Sequence, residues 1–445
     1  MIRRRFALAL AALGLALSLP AVAGELRALV GGVLLDGSGG PALPDSVILI
    51  DGDRIMAVGQ IGTLPVPALA EVISTEGMTV LPGLWDLGVH LSRLGHADAA
   101  RWDESYVPIA ERVVMPAAAR QLLLSGVTSA RDVASPLEAA ISVRERIRTQ
   151  RIPGPTLYVS GPILEKDAPP RAHDYRWNIN GPLEAKQKAE RLLRAGVDFI
   201  IVGAANEWTE AELAALSVVA RDGGVPWYAE VRHDADIAPA LAHGARGLIG
   251  LGTDLSPELP EAAAAALRAQ AARDLPVAWT TGVSALTNYE WLLKNAAPLD
   301  DVRWREGLPP IIADDVRGSL RNLATLSLYE TPALRQAVLG QRLRSARAAG
   351  ARLLVGSDAG LPAHIHSRAT WQEVEALVLE AGLTSAEAIR AATLDAALAM
   401  GEEHENGSVS PGKYADIIAV RGDVARHIER LADVEIVIRH GSRYH

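Results

Sequence analysis

Between residues 84 and 355 the chain repeats one pattern eight times: a short, mostly apolar run, then a longer stretch with helical character. The runs are 84–91, 127–133, 156–160, 198–202, 227–231, 246–251, 276–280 and 352–355. Near-continuous apolar runs suit strands buried on both faces, and parallel pairing of such strands requires a crossover, usually helical, between each pair. The stretches 211–220 and 260–273 are alanine-rich and amphipathic, and Gly126-Val127 and Gly196-Val197 lead into strands. Eight such units predict an α/β fold, a (β/α)8 TIM-like barrel that carries its site where the strands end.

The two ends of the chain have a different texture. From Leu26 to Ile73, β-branched or apolar runs are split by Asp36-Gly37-Ser38-Gly39-Gly40 and Asp51-Gly52-Asp53, which are hairpin signals. After Gly407-Ser408-Val409-Ser410-Pro411-Gly412-Lys413-Tyr414-Ala415-Asp416 come two more strand-like runs, 417–420 and 434–439.

Residues 1–23 read as a secretory signal: Arg3-Arg4-Arg5, an apolar run over 6–19, then the small-residue site Ala21-Val22-Ala23. The run is shorter than the ~20 residues needed to cross a bilayer, so cleavage after Ala23 is expected rather than retention as an anchor. The predicted location is exported, periplasmic or extracellular, and the twin arginine leaves the export route open. The chain contains no cysteine, which removes disulfides, thiolate metal sites and cysteine nucleophiles together. Its formal net charge of −9, with charges interspersed, argues against a nucleic-acid footprint or an anionic-membrane patch.

The hinge between the two textures is Val80-Leu-Pro-Gly-Leu-Trp-Asp-Leu-Gly-Val-His-Leu91. A turn at Leu81-Pro82-Gly83 leads into the first barrel strand, with His90 near its C-terminal end. This phrase resembles the first barrel strand of the amidohydrolase superfamily, which normally reads close to VLPGLIDxHxH. The resemblance extends over nearly the whole mature chain and is nearest to imidazolonepropionase-like and Xaa-Pro dipeptidase-like secreted members. The stretch 407–416 matches the family's GxxxPGxxAD phrase, and Asp36-Gly37-Ser38-Gly39 its DGxG turn. It implies that residues 24–80 and 402–445 form one composite β-sandwich domain flanking a barrel over 81–401.

By the same resemblance, the metal ions would be held by two histidines of strand one, a carboxylated lysine on strand four, a histidine each on strands five and six, and an aspartate on strand eight. Here Gly88 stands for the first histidine, Ile201 for the lysine, Glu230 for the strand-five histidine, and Gly250 or Leu251 for the strand-six histidine. Only His90 and Asp358, within Gly356-Ser357-Asp358-Ala359-Gly360, survive. A zinc site needs three nitrogen or oxygen ligands plus water, which isoleucine and glycine cannot supply. A binuclear centre is therefore not expected, and the cofactor reading is none or one weakly bound divalent, zinc-like ion near His90 and Asp358.

Other candidates stand beside these two. Glu230 offers a carboxylate ligand or base; an ion pair with Arg232 or another barrel arginine is the favoured alternative. His364 and His366, at i and i+2 after strand eight, are candidate substrate contacts, as is His233; plain surface positions are the alternative. Asp358 is the candidate proton carrier, with Glu230 the second catalytic candidate. Two functions stay open: hydrolysis of a C–N bond in an amide, dipeptide or cyclic amide, as the resemblance implies, or a noncatalytic barrel that binds a small molecule or peptide.

Overall fold

The eight apolar runs each hold a strand in the computed structural model, whose described residues are 26–445 apart from 170, 171, 173, 275, 296–301 and 326–331. The segment read as an export signal lies outside the described residues. In chain order the strands are β1 (Leu84–Val89), β2 (Val127–Asp132), β3 (Thr156–Val159), β4 (Ile200–Gly203), β5 (Trp227–Glu230), β6 (Gly247–Ile249), β7 (Ala278–Thr280) and β8 (Arg352–Leu354). β1, β2 and β3 pair in parallel in that order, and β4 to β8 do the same in a second sheet. Backbone hydrogen bonds join the two sheets at both seams. Asp198 N donates to Val159 O at 2.9 Å between β3 and β4, while Leu87 N donates to Val355 O at 2.9 Å and Asp358 N to Gly88 O at 2.7 Å between β1 and β8. The strand succession thus returns to its start.

One addition was not expected from the sequence. Between β3 and β4 the short strand Ile163–Glu165 pairs in parallel with both β4 and another short strand, Arg176–Asn178. It places Glu165 and Arg176 beside the C-terminal end of β4, which becomes important below.

Helices follow most of the strands and cover them with small or aliphatic side chains. The helix Glu210–Asp222 starts with a capping box in which Thr209 and Glu212 satisfy each other's backbone N–H groups. The helix Pro182–Ala195 stops at Gly196, whose φ of 83° is a left-handed conformation that glycine adopts without a side-chain clash. Their leucines, among them Leu192, Leu213 and Leu216, join one buried cluster with Val202, Ala229 and Leu248 of the strands. The connection from β7 to β8 is the most elaborate, with helices Val283–Asn295, Pro310–Ser319 and Pro332–Ala348.

The chain ends contribute two further sheets. One has the order Arg54–Gln60, Ser46–Asp51, Leu26–Val30, Glu71–Ser74. The other brings distant segments together: Ser442–Arg443, Val434–Arg439 and Ile417–Arg421 from the C-terminus pair onward to Met78–Pro82 and Val33–Leu34. Leu29, Ile48, Ile50, Ile417, Ile436 and Ile438 are buried in one cluster shared by these sheets. The Leu81-Pro82 phrase therefore belongs to a terminal sheet, and Gly83 is the joint at which the chain leaves it for β1.

The last turn of the chain also touches the first hairpin. A Cβ at Gly441, where φ is 70°, would run into the carbonyl oxygen of Gly52. Gly441→Ala is accordingly expected to cost about 1–3 kcal/mol through backbone displacement and the unfavourable φ, read as a lower midpoint in urea denaturation with an unchanged slope.

Candidate functional site

Strands that all end at one face bring their last residues together, and here they surround a cavity of about 320 Å³. His90 follows β1, Ile201 lies on β4, Glu230 ends β5, Gly250 follows β6, and Asp358 follows β8; all line this cavity. Much of the remaining lining is apolar, including Val133, Ile163, Ile249 and Leu286. An apolar cavity with a few convergent polar groups is the usual form of a small-molecule site.

The β1 and β8 contributions are locked to each other. His90 N donates to Ala359 O at 2.8 Å, and Val89 and Ala359 form an isolated parallel bridge. Asp358 is held in the left-handed region at φ 56°. An added Cβ at Gly88 would lie 3.7 Å from Asp358 Oδ1. Position 88 therefore points at the site as the sequence register requires, and it contributes no side chain there.

His90 Nδ1 is 2.9 Å from Val133 O, so it donates, leaving Nε2 as the lone-pair nitrogen, 3.9 Å from Asp358 Oδ1. Burial, with Arg93 adding to it, lowers the His90 pKa to about 4, and the ring is neutral at physiological pH. Burial likewise pushes Asp358 up to about 8, reinforced by the nearby carboxylates Glu373, Asp86 and Glu230. A neutral imidazole and a carboxyl group that titrates near neutrality thus face one another.

Glu230 has the opposite fate. Its Oε1 accepts from Arg176 Nη2 at 2.7 Å and its Oε2 from Arg176 Nη1 at 2.9 Å, a bidentate pair, with Arg232 Nε 3.4 Å from Oε2. Burial opposes its ionisation, but the two guanidinium groups outweigh burial and hold the carboxyl at about 2. Glu165, with no exposed surface, accepts from Arg176 Nη1 at 2.5 Å and also from Arg232. Of the alternatives open for Glu230, the arrangement is the ion pair.

The other candidates do not line the cavity. His364 is buried against Ser284 and Asn288, with Nε2 3.1 Å from Ser284 Oγ. His366 is also wholly buried, and burial lowers both rings to about 3. Both are interior groups, whereas the sequence reading had them as surface or pocket-facing loop positions. His233 pairs with Asp254 at 3.1 Å and is half exposed. Sequence reasoning missed Arg176 and Glu165, which sit on two three-residue strands too short to carry a recognisable pattern. The available signal was indirect: a glutamate replacing a histidine in a buried place needs a cation.

Residues 324–443 match the model of the amidohydrolase family, a span that contains β8, Asp358 and the C-terminal strands. Over that span the chain is similar to the amidohydrolase family. No curated protein matches it by sequence. Among solved structures it is similar to a Xaa-Pro dipeptidase with bound methionine in its active site (TM-score 0.72, 22% identity, covering 94% of this chain and 99% of that one). It is also similar to molinate hydrolase (0.72, 19%, 95% and 95%) and to A. niger ochratoxinase (0.70, 20%, 94% and 96%). At these identities the likeness speaks for the fold, an α/β fold of TIM-barrel type.

The metal ions of the amidohydrolase superfamily do not fit the groups present. Among the described residues no three His, Cys, Asp or Glu side chains converge as a metal site would require. His90 and Asp358 offer one nitrogen and one carboxyl, and both oxygens of Glu230 are taken by Arg176. No chemical step is therefore derived through a metal.

The raised pKa of Asp358 has a stability consequence with a definite sign. Because the folded value of about 8 lies above the usual aspartate value of ~4, its contribution is fully present below pH ~4 and is lost as pH rises through 8. Asp358→Asn cannot ionise, so the fall in Tm between pH 5 and pH 9 should be smaller in the variant than in the parent. Thermal melts across that range check the expectation; a steeper fall in the variant would contradict it.

Proposed function

We propose that this chain is an exported C–N bond hydrolase of the amidohydrolase class, acting on a small amide such as a dipeptide or cyclic amide, with Asp358 as its proton carrier. The observation that carries this reading is the position of Asp358: it lines an apolar cavity, faces neutral His90, and holds a proton that leaves near pH 8. A group titrating near the working pH is effective both as base and as acid. Ionised, it takes a proton from water as the oxygen attacks the amide carbonyl; protonated, it returns that proton to the departing nitrogen. His90 Nε2, neutral and unprotonated, accepts a hydrogen bond from the attacking water and orients it. The likeness to a Xaa-Pro dipeptidase, and to a molinate hydrolase beside it, supports the reaction class.

The sheets from the two chain ends support a reading as one β-sandwich domain, residues 24–80 with 402–445, flanking a barrel over 81–401, with Leu81 and Pro82 moved to the sandwich side by their pairing. Export rests on the sequence of residues 1–23, and mature protein is expected to start at Gly24.

A second reading, a barrel that binds a small molecule or peptide without turning it over, draws support from Glu230, which Arg176 and Arg232 hold as an ion-paired carboxylate rather than a free base. The two readings separate in one experiment, in which parent, Asp358→Asn and His90→Ala are compared for binding and turnover over a panel of dipeptides and cyclic amides. The hydrolase reading expects parent turnover that rises with pH through about 8 and falls by about 10²–10⁴-fold in Asp358→Asn, without loss of folding. Binding with no turnover selects the second reading, and neither binding nor turnover rejects both.

A further inference from the structure

We propose that the guanidinium group of Arg176 takes the place of the metal as the positive charge at the mouth of the strands, so that the site is assembled without a metal ion. The inference rests on the same cavity as the proposed function but not on its ligand or its reaction.

The argument starts from where the charge is needed. Glu230 ends β5, the position at which the superfamily resemblance expects a metal-binding histidine, and its carboxylate cannot stay ionised in a largely enclosed cavity without a cation. Glu165 is fully enclosed nearby and needs one too. Arg176 Nη1 meets both, 2.5 Å from Glu165 Oε2 and 2.9 Å from Glu230 Oε2, and Nη2 takes the remaining Glu230 oxygen at 2.7 Å. A single planar group thus holds three carboxylate contacts, where a bridging ion would otherwise draw two carboxylates together.

The surrounding backbone is shaped for this group. Gly203 ends β4, two residues beyond Ile201, and a Cβ there would lie 2.8 Å from Glu165 Oε2 and 3.1 Å from Glu230 Oε2. Both carboxylates therefore occupy space that any larger residue would fill. Arg176 arrives on the short strand Arg176–Asn178, which pairs with Ile163–Glu165 in register: Ile163 opposite Arg176, Glu165 opposite Asn178. The inserted strand pair thus delivers the cation and one of its two carboxylates together. Two of the metal-ligand positions, Gly88 and Gly250, carry no side chain, and a third, Ile201, adds an apolar wall beside the ion pair. The side chains missing from the expected ligand positions and the arginine beside them are two parts of one arrangement.

The test uses the mature parent protein and Arg176→Ala. Elemental analysis of the parent should find well under one equivalent of zinc, manganese, iron or nickel per chain, and neither a strong chelator nor added zinc should move its Tm. Arg176→Ala should melt lower, and millimolar methylguanidinium, at concentrations that do not denature the parent, should recover part of the loss while equal sodium chloride does not. Arg176→Lys, which keeps the charge but not the planar fork, should melt between parent and Arg176→Ala, and it decides the question if Arg176→Ala does not fold. One or more tightly bound metals in the parent, a Tm that collapses on chelation, or an Arg176→Lys variant no more stable than Arg176→Ala would overturn the proposal. Because none of these readouts uses a substrate, failure of the hydrolase reading would leave this result standing, and the reverse.

Discussion

A carboxylate that leaves water must meet a cation, and at the mouth of these strands that requirement is met by arginine. Glu165 and Glu230 sit where the inserted strand Ile163–Glu165, β4 and β5 lie side by side, and Arg176 and Arg232 bind both. Burial alone would raise a carboxyl by several pKa units. The outcome differs for each carboxylate around the cavity. Glu230, with a bidentate guanidinium, is held down at about 2, while Asp358, surrounded by carboxylates and buried, is pushed up to about 8. Two acids lining the same cavity are thus driven into opposite states by their neighbours, which is how one site acquires a fixed anion and a titrating group.

The scaffold beneath this site is stiff for ordinary reasons. Asp86 of β1 accepts from Ser357 N at 2.9 Å and from Thr370 Oγ1 at 2.7 Å, and so anchors the residue preceding Asp358. Glu373 accepts from the N–H groups of Val283 and Ser284, at the start of the helix that follows β7. Arg131 of β2 donates to Leu87 O and to Thr280 Oγ1 from within the strands, with its guanidinium 4.3 Å from the ring centre of Tyr228. These buried polar groups tie β1, β2, β7 and β8 together by bonds whose loss would leave unsatisfied charge or dipole. This framework fixes the position of Asp358.

Much of this organisation is legible in the chain itself. Strand positions follow from apolar runs of a length that fits strands and not helices, and the return of the C-terminal segment to Met78–Pro82 was foreshadowed by its phrase at 407–416. The presence of His90, Glu230 and Asp358 at one face follows from their places at strand ends, since parallel strands share a direction. The misplacement of His364 and His366 has an equally physical cause. Spacing puts them after β8, but it cannot say that the loop turns inward and buries both rings beside Ser284 and the His90 segment.

What the sequence determined by itself is the periodicity of the fold and the list of side chains absent from the expected metal positions, because both are properties of residues taken in order. What only the tertiary structure decided is how the remaining charges are partnered. Arg176 lies 54 positions from Glu230 and 11 from Glu165, on a strand no pattern announced. Ion pairing depends on distance in space and on exclusion of water, and neither is encoded in any short stretch of chain. The same is true of Asp358, whose identity is read at a glance, but whose proton is held by the burial and the neighbouring carboxylates that folding places around it.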